Sequence, residues 1–301
     1  MLEPICTDSA LDADEPLLGS APHARAWVCL EQVGPWGRTA FTTSHLDPDL
    51  GARLEARARV ADVRPALIRR PGRHADMHRG DRTVLVASTH PDRSWLLSAR
   101  IIDPEILLEM DWEAAGRGDL DAVRASLPAL TPTSETVLLV CTNGTRDACC
   151  ARLGRPVAVA AAADQPDRVW EVTHTSGHRF APTTVLLPSG FLHGRVLDGS
   201  RLLEASDRGE VPLTGLRGRT TWPAVGQVAD GAVREHAGIT DVDALSVDGT
   251  GDDWMVGHSD GRRWRVRVTS YEEGTSVDSC GKQPTPVRRW RAAVEELPAT
   301  R

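Results

Sequence analysis

Two short stretches of the chain concentrate side chains that bind metals. One reads C-T-N-G-T-R-D-A-C-C, from Cys141 to Cys150, and the other reads H-T-S-G-H-R-F-A-P, from His174 to Pro182. Thiolate and neutral imidazole suit iron–sulfur clusters and zinc. A 2Fe–2S cluster needs two protein ligands on each iron, and histidines can replace the thiolates on one of them, which raises the potential. Zinc prefers its cysteines two to four residues apart with the histidines about a dozen further on. Here eight residues separate Cys141 from Cys150 and 23 more precede His174, so a zinc-stabilised binding module is the weaker alternative. A thiol–disulfide oxidoreductase would want a low-pKa cysteine, usually in C-x-x-C. That motif is absent from the chain.

These residues need elements to hold them. Thr136 to Cys141 is a continuous apolar run, as a buried strand should be. Thr145 to about Ala163 reads as a helix with a possible kink at Pro156, and Arg168 to Thr173 as a strand. Thr183 to Leu187 and Phe191 to Leu197 form a hairpin around Pro188-Ser189-Gly190, and a helix follows from about Ser200. Strand, helix, strand, hairpin, helix is the thioredoxin-like plan. It puts Cys141, Cys150, His174 and His178 at joints on one end of a sheet. The helix start would add backbone N–H groups facing an anionic group.

The same order is expected earlier: a strand near Arg25 to Leu30, a helix near Leu50 to Arg59, a strand near Pro65 to Arg70, then a hairpin and helix. T-V-L-V-A-S (Thr83 to Ser88) and T-V-L-L-P-S (Thr184 to Ser189) echo each other. The reading is therefore α/β, with two tandem thioredoxin-like domains. Pro/Thr-rich Leu127 to Ser134 and the segment near Thr221 to Pro223 mark the boundaries. The division is residues 1–130 without a cluster, 131–222 with it, and a small α+β extension over 223–301. That extension holds a helix near Val225 to His236 and three short strands near Ala244, Trp254 and Trp264.

The pattern C-x8-C with R-D-x-C-C, then H-x3-H-R-F-A-P-T and L-P-x-G-x-x-x-G-R, resembles the sucrase/ferredoxin-like family and, more distantly, thioredoxin-like 2Fe–2S ferredoxins. Glu15 to Ala21 (E-P-L-L-G-S-A), Gly34 to Gly37 (G-P-W-G) and Ser279 to Lys282 (S-C-G-K) fit as well. The resemblance implies a 2Fe–2S electron carrier rather than a stand-alone enzyme, ligated by Cys141, Cys150, His174 and His178. Its register selects Cys150 over Cys149, which is left to pack beside Leu153. Donor and acceptor are unspecified. Histidine ligands could couple electron to proton, so the potential would fall as pH rises. The "sucrase" in the family name has no support here, because no carboxylate pair stands out as glycosidases require.

Several residues have plainer readings. His74 and His78 repeat the H-x3-H spacing in the first unit, but Cys29 stands alone there, so they read as a solvated loop. Cys6, Cys29 and Cys280 are scattered; Cys280 could cap the site, though an isolated buried thiol is the simpler expectation. Arg146 and Arg179 are either surface charges or a positive frame for the site. Pro182 is a candidate cis proline. Apolar residues make up 41% and net charge is -7 without a basic stripe, which argues against nucleic acid as a partner. No run is long enough to span a membrane, and Met1 to Ala10 carries no leader signal. A soluble, cytoplasmic protein is expected.

Overall fold

Alternation along the strands sorts side chains into layers. All five residues of the strand Val137–Cys141 are buried. Val137, Leu139 and Cys141 join one apolar layer, and Leu138 and Val140 join another. This is the two-residue period of a strand covered on both faces. In the earlier strand Ala26–Glu31, Val28 and Leu30 face one layer, while Trp27 and Cys29 face the layer that also holds Cys141. One apolar layer thus runs beneath both halves of the sheet.

The computed structural model describes residues 5–72 and 80–298. Helix α1 (Cys6–Asp12) comes first. A first unit follows: β1 (Ala26–Glu31), α2 (Ala40–Thr43), α3 (Pro48–Val60), β2 (Val63–Arg69), β3 (Arg82–Ser88), β4 (Trp95–Ile101), α4 (Trp112–Arg117), α5 (Leu120–Ser126) and β5 (Thr131–Thr133). The second unit is β6 (Val137–Cys141), α6 (Ala148–Asp164), β7 (Val169–Val172), β8 (Thr184–Leu187), β9 (Phe191–His193) and α7 (Gly199–Asp207). Then come β10 (Leu216–Arg219), α8 (Ala224–Ala237), β11 (Leu245–Thr250), β12 (Asp253–His258), β13 (Arg263–Ser276) and β14 (Thr285–Glu296).

The fold is mixed α/β. A ten-stranded sheet runs β10-β9-β8-β6-β7-β2-β1-β3-β4-β5, and a second sheet runs β11-β12-β13-β14. β1 pairs parallel with β2 and antiparallel with β3; β6 pairs parallel with β7 and antiparallel with β8. The two quartets join where β2 meets β7 antiparallel, Ile68 opposite Val172.

Aspartates set most helix starts. Asp47, Asp111, Asp119, Asp147 and Asp198 each accept a backbone N–H at the opening of α3, α4, α5, α6 and α7. Asp147 rather than Thr145 caps α6, so that helix begins three residues later than its periodicity suggests. In the first unit the helix expected after the hairpin is a 3-10 turn, Pro104–Leu108, followed by α4 and α5. The boundary segment near Leu127 to Ser134 adds edge strand β5 to β4. The tail differs from the three short strands expected. It has four, and β13 and β14 are long arms of 14 and 12 residues. Most of β14 is exposed, so its apolar alternation is too weak to be read as a strand. Among the described residues no helix is long and apolar enough to cross a membrane.

Candidate metal centre

Cys141 ends β6, and its N–H donates to the Thr183 carbonyl at 2.9 Å. Cys150 lies in the first turn of α6, which Asp147 fixes by accepting the Cys149 N–H at 2.9 Å. His174 and His178 lie in the loop that leaves β7. The backbone there turns through Ser176 and Gly177 at positive φ, +61° and +68°. Glycine is required at 177, because a Cβ would stand 2.5 Å from Arg217 Nη2. The loop closes on a cis Ala181–Pro182 bond.

The structure brings these four side chains together. Cys150 Sγ is 3.3 Å from His178 Nδ1, and the two imidazoles stack with centroids 4.8 Å apart. Hydrogen bonds from Cys150 and His174 hold the Cys141 thiol well below its usual pKa despite burial, while the same sulfur–sulfur contact and burial push Cys150 up. Burial lowers both imidazoles, His174 to about 4, so each ring is neutral near pH 7. His174 Nδ1 accepts the Ser176 N–H at 3.4 Å, which leaves its other ring nitrogen for a ligand.

A frame of arginines surrounds the group. Arg64, on β2 of the first unit, donates to the His174 carbonyl at 3.0 Å. Arg217, on β10, is fully buried and donates to the Ser176 carbonyl at 3.0 Å. Desolvation lowers Arg64 to about 10 and Arg217 to about 9, with the Cys141 sulfur opposing the shift in both. Arg146 donates to the Arg38 carbonyl, and Asn143 donates to the Gly37 carbonyl at 3.0 Å. The G-P-W-G loop of the first unit therefore buttresses the loop between β6 and α6. Arg179 is not part of this frame. It pairs with Glu15 at 2.6 Å and Asp278 at 2.9 Å, tying the chain's two ends to the His178 turn.

The donor set fits a 2Fe–2S cluster: two thiols and two neutral imidazoles, from separate elements, inside a positively charged frame. Cys29 shares the apolar layer with Cys141 but stands on β1 as a fully buried core residue, its thiol raised to about 12 by burial. His74 and His78 lie outside the described residues.

Cys149 does pack near Leu153, as its helical position suggests, but it has thiol neighbours too. Cys6 Sγ is 3.5 Å from Cys149 Sγ, and Cys280 Sγ is 3.4 Å from it. With Asp147 they form a four-residue group able to hold a metal ion. Cys280 is therefore neither isolated nor a cap on Cys141 and Cys150. Sequence spacing could not reveal this group, since 143 positions separate Cys6 from Cys149. The available signal was arithmetical: setting Cys141 and Cys150 aside leaves Cys149 beside an aspartate, with two further cysteines outside the first unit's core.

A family model described as sucrase/ferredoxin-like matches residues 17–202. No curated protein and no solved structure matches the chain.

Proposed function

The chain belongs to the sucrase/ferredoxin-like family, and on that premise we propose that it is an electron carrier whose 2Fe–2S cluster is held by Cys141, Cys150, His174 and His178. The observation that carries this reading is the meeting of these four side chains, from the end of β6, the start of α6 and the loop after β7. Such a cluster accepts and returns one electron, at a potential raised by histidine ligation.

The protein's own residues prepare the site. Cys141 favours the thiolate, the form that binds metal, and both imidazoles are neutral, as ligation also requires. Arg64 and Arg217 hold the backbone of the histidine loop, so the rings keep their places when a ligand binds or leaves. His178 is partly exposed while the cysteines are buried, so the histidine side is where an electron partner would approach. Donor and acceptor are separate molecules in this reading. The shared strand order of the two quartets supports tandem thioredoxin-like domains, with residues 1–130 buttressing the site in 131–222 and 223–301 packed as an extension.

The test is the visible spectrum and iron content of protein purified without oxygen. Reddish-brown protein with two irons per chain is expected, bleached when Cys141 or Cys150 is replaced by Ala. Colourless, iron-free protein after reconstitution with iron and sulfide would overturn the reading.

A further inference from the structure

Three sulfurs that the proposed cluster does not use form a closed triangle. Cys6 Sγ and Cys149 Sγ are 3.5 Å apart, Cys149 Sγ and Cys280 Sγ 3.4 Å, and Cys280 Sγ and Cys6 Sγ 3.6 Å. A disulfide would need about 2.05 Å and would join only two of them. Tetrahedral zinc with Zn–S near 2.3 Å sets its sulfurs about 3.8 Å apart. Beside the triangle lies the Asp147 carboxylate, its oxygens 3.6 and 3.7 Å from Cys6 Sγ. A zinc-bound carboxylate oxygen and thiolate stand about 3.5 Å apart in the same geometry. The four donor atoms lie within 4.8 Å of one another, on three separate parts of the chain.

We propose that Cys6, Cys149, Cys280 and Asp147 bind one structural Zn²⁺, at a site separate from Cys141, Cys150, His174 and His178.

The surroundings suit a closed site. Cys6 and Cys149 are buried, and Ile5, Leu153, Ala181 and Val277 pack around them. Asp147 is already oriented: its carboxylate accepts Ser279 Oγ at 2.7 Å, the Cys280 N–H at 2.9 Å and the Cys149 N–H at 2.9 Å. Ligating carboxylates are held by such outer hydrogen bonds. On binding, the thiols give up the protons they still hold to solvent, and three Zn–S bonds and one Zn–O bond replace the ion's bound waters with no change in oxidation state. The ion would clamp α1 and the β13–β14 loop onto the start of α6. Cys149 and Cys150 are adjacent there, so one helical turn would serve both sites.

The experiment compares zinc and iron per chain after expression with ample zinc and iron, in wild type and in Cys6→Ser, Cys280→Ser and the double variant His174→Ala/His178→Ala. One zinc per chain is expected in wild type, retained by the histidine variant and lost from both cysteine variants. Iron follows the opposite pattern, so this site and the proposed cluster fail separately. Because Cys6→Ser could hinder folding, wild type is also alkylated and mapped by mass spectrometry. Cys6, Cys149 and Cys280 should be protected until a chelator strips the zinc. Co²⁺ in place of zinc should give a thiolate-to-metal charge-transfer band with intense tetrahedral d–d bands. The proposal is overturned by zinc-free wild type, by zinc that survives both cysteine substitutions or departs with the histidines, or by a disulfide among the three cysteines.

Discussion

In the first unit β1 ends at Glu31, and α3 opens after Asp47 with Pro48, Asp49 and Leu50. In the second, β6 ends at Cys141, and α6 opens after Asp147 with Ala148, Cys149 and Cys150. Strand order and capping chemistry match, but the side chains do not. Glu31 accepts the Thr83 N–H at 2.9 Å; Asp49 is exposed, and Leu50 joins the apolar core. The strand end that could hold a ligand instead fastens a hairpin. Among the described residues, then, the architecture offers the same joints twice, and a few residue choices decide whether sulfur stands there. The first unit contributes to the other's site indirectly, through Arg64 and the Gly37 carbonyl.

Substitution of cysteines in the two units tests this contrast most severely. Cys141→Ala or Cys150→Ala should reduce bound iron to background and abolish visible absorption. Cys29→Ala, on the strand that matches β6, should leave iron unchanged and cost about 1 kcal/mol through a small cavity, read from the denaturation midpoint. Iron loss from Cys29→Ala would make the first unit part of the site.

A pair of glycines gives the next largest effect. Gly177 and Gly72 both have positive φ, +68° and +113°. A Cβ on Gly177 would strike Arg217, whereas one on Gly72 would meet nothing within 4 Å among the described residues. Gly177→Ala should therefore cost about 3 kcal/mol, strain plus clash, and lower iron occupancy. Gly72→Ala should cost about 1–3 kcal/mol, strain alone, with iron intact. Full iron occupancy in Gly177→Ala would mean that the Arg217 contact yields without disturbing the site.

Two arginines sharpen the contrast further. Arg64 reaches across the units to the His174 carbonyl; Arg82 stays within its own unit, on the Glu31 carbonyl and Gln32 Oε1. Each Arg→Met change removes charged hydrogen bonds worth about 1.5–3 kcal/mol. Only Arg64→Met should speed iron release to a chelator. Matching release rates for the two variants would dismiss the buttress.

Much of this arrangement could be read from residue order. The β6, α6 and β7 segments and the joints bearing Cys141, Cys150, His174 and His178 follow from apolar runs and turn residues, which are local signals. What escaped was non-local or weakly patterned. The Cys6–Cys149–Cys280 group joins segments far apart in the chain, and no spacing rule encodes that. Strand β14 lies largely in solvent, where no buried face imposes alternation. α6 starts later than Thr145 because Thr145 and Asp147 are both capping residues, and only the fold shows which side chain reaches the Cys149 N–H.

The smallest predicted effect concerns pH and two histidines outside the proposed site. His193, at the end of β9, is buried; its Nε2 donates to the Pro212 carbonyl at 2.9 Å, while its Nδ1 has no hydrogen-bond partner among the described residues. Burial lowers its pKa to about 4, because a proton on Nδ1 would place an unpaired charge in the core. His90 in the first unit is also lowered by burial, but it is half-buried and loses less solvation. The unfolded chain takes up a proton on His193 near pH 6.5, whereas the folded protein does so only near 4. Between those values the unfolded state binds more protons, so stability falls as pH drops and levels off below about 4. From pH 7 to 5.5 the His193 share of that loss is about 1 kcal/mol. His193→Gln keeps a donor for Pro212 and removes the titration. The wild-type minus variant difference in unfolding free energy should therefore narrow or change sign by that amount over the interval. A matching His90→Gln series should change less. A His193 difference independent of pH would show that the ring titrates alike in the folded and unfolded states, against the effect of burial.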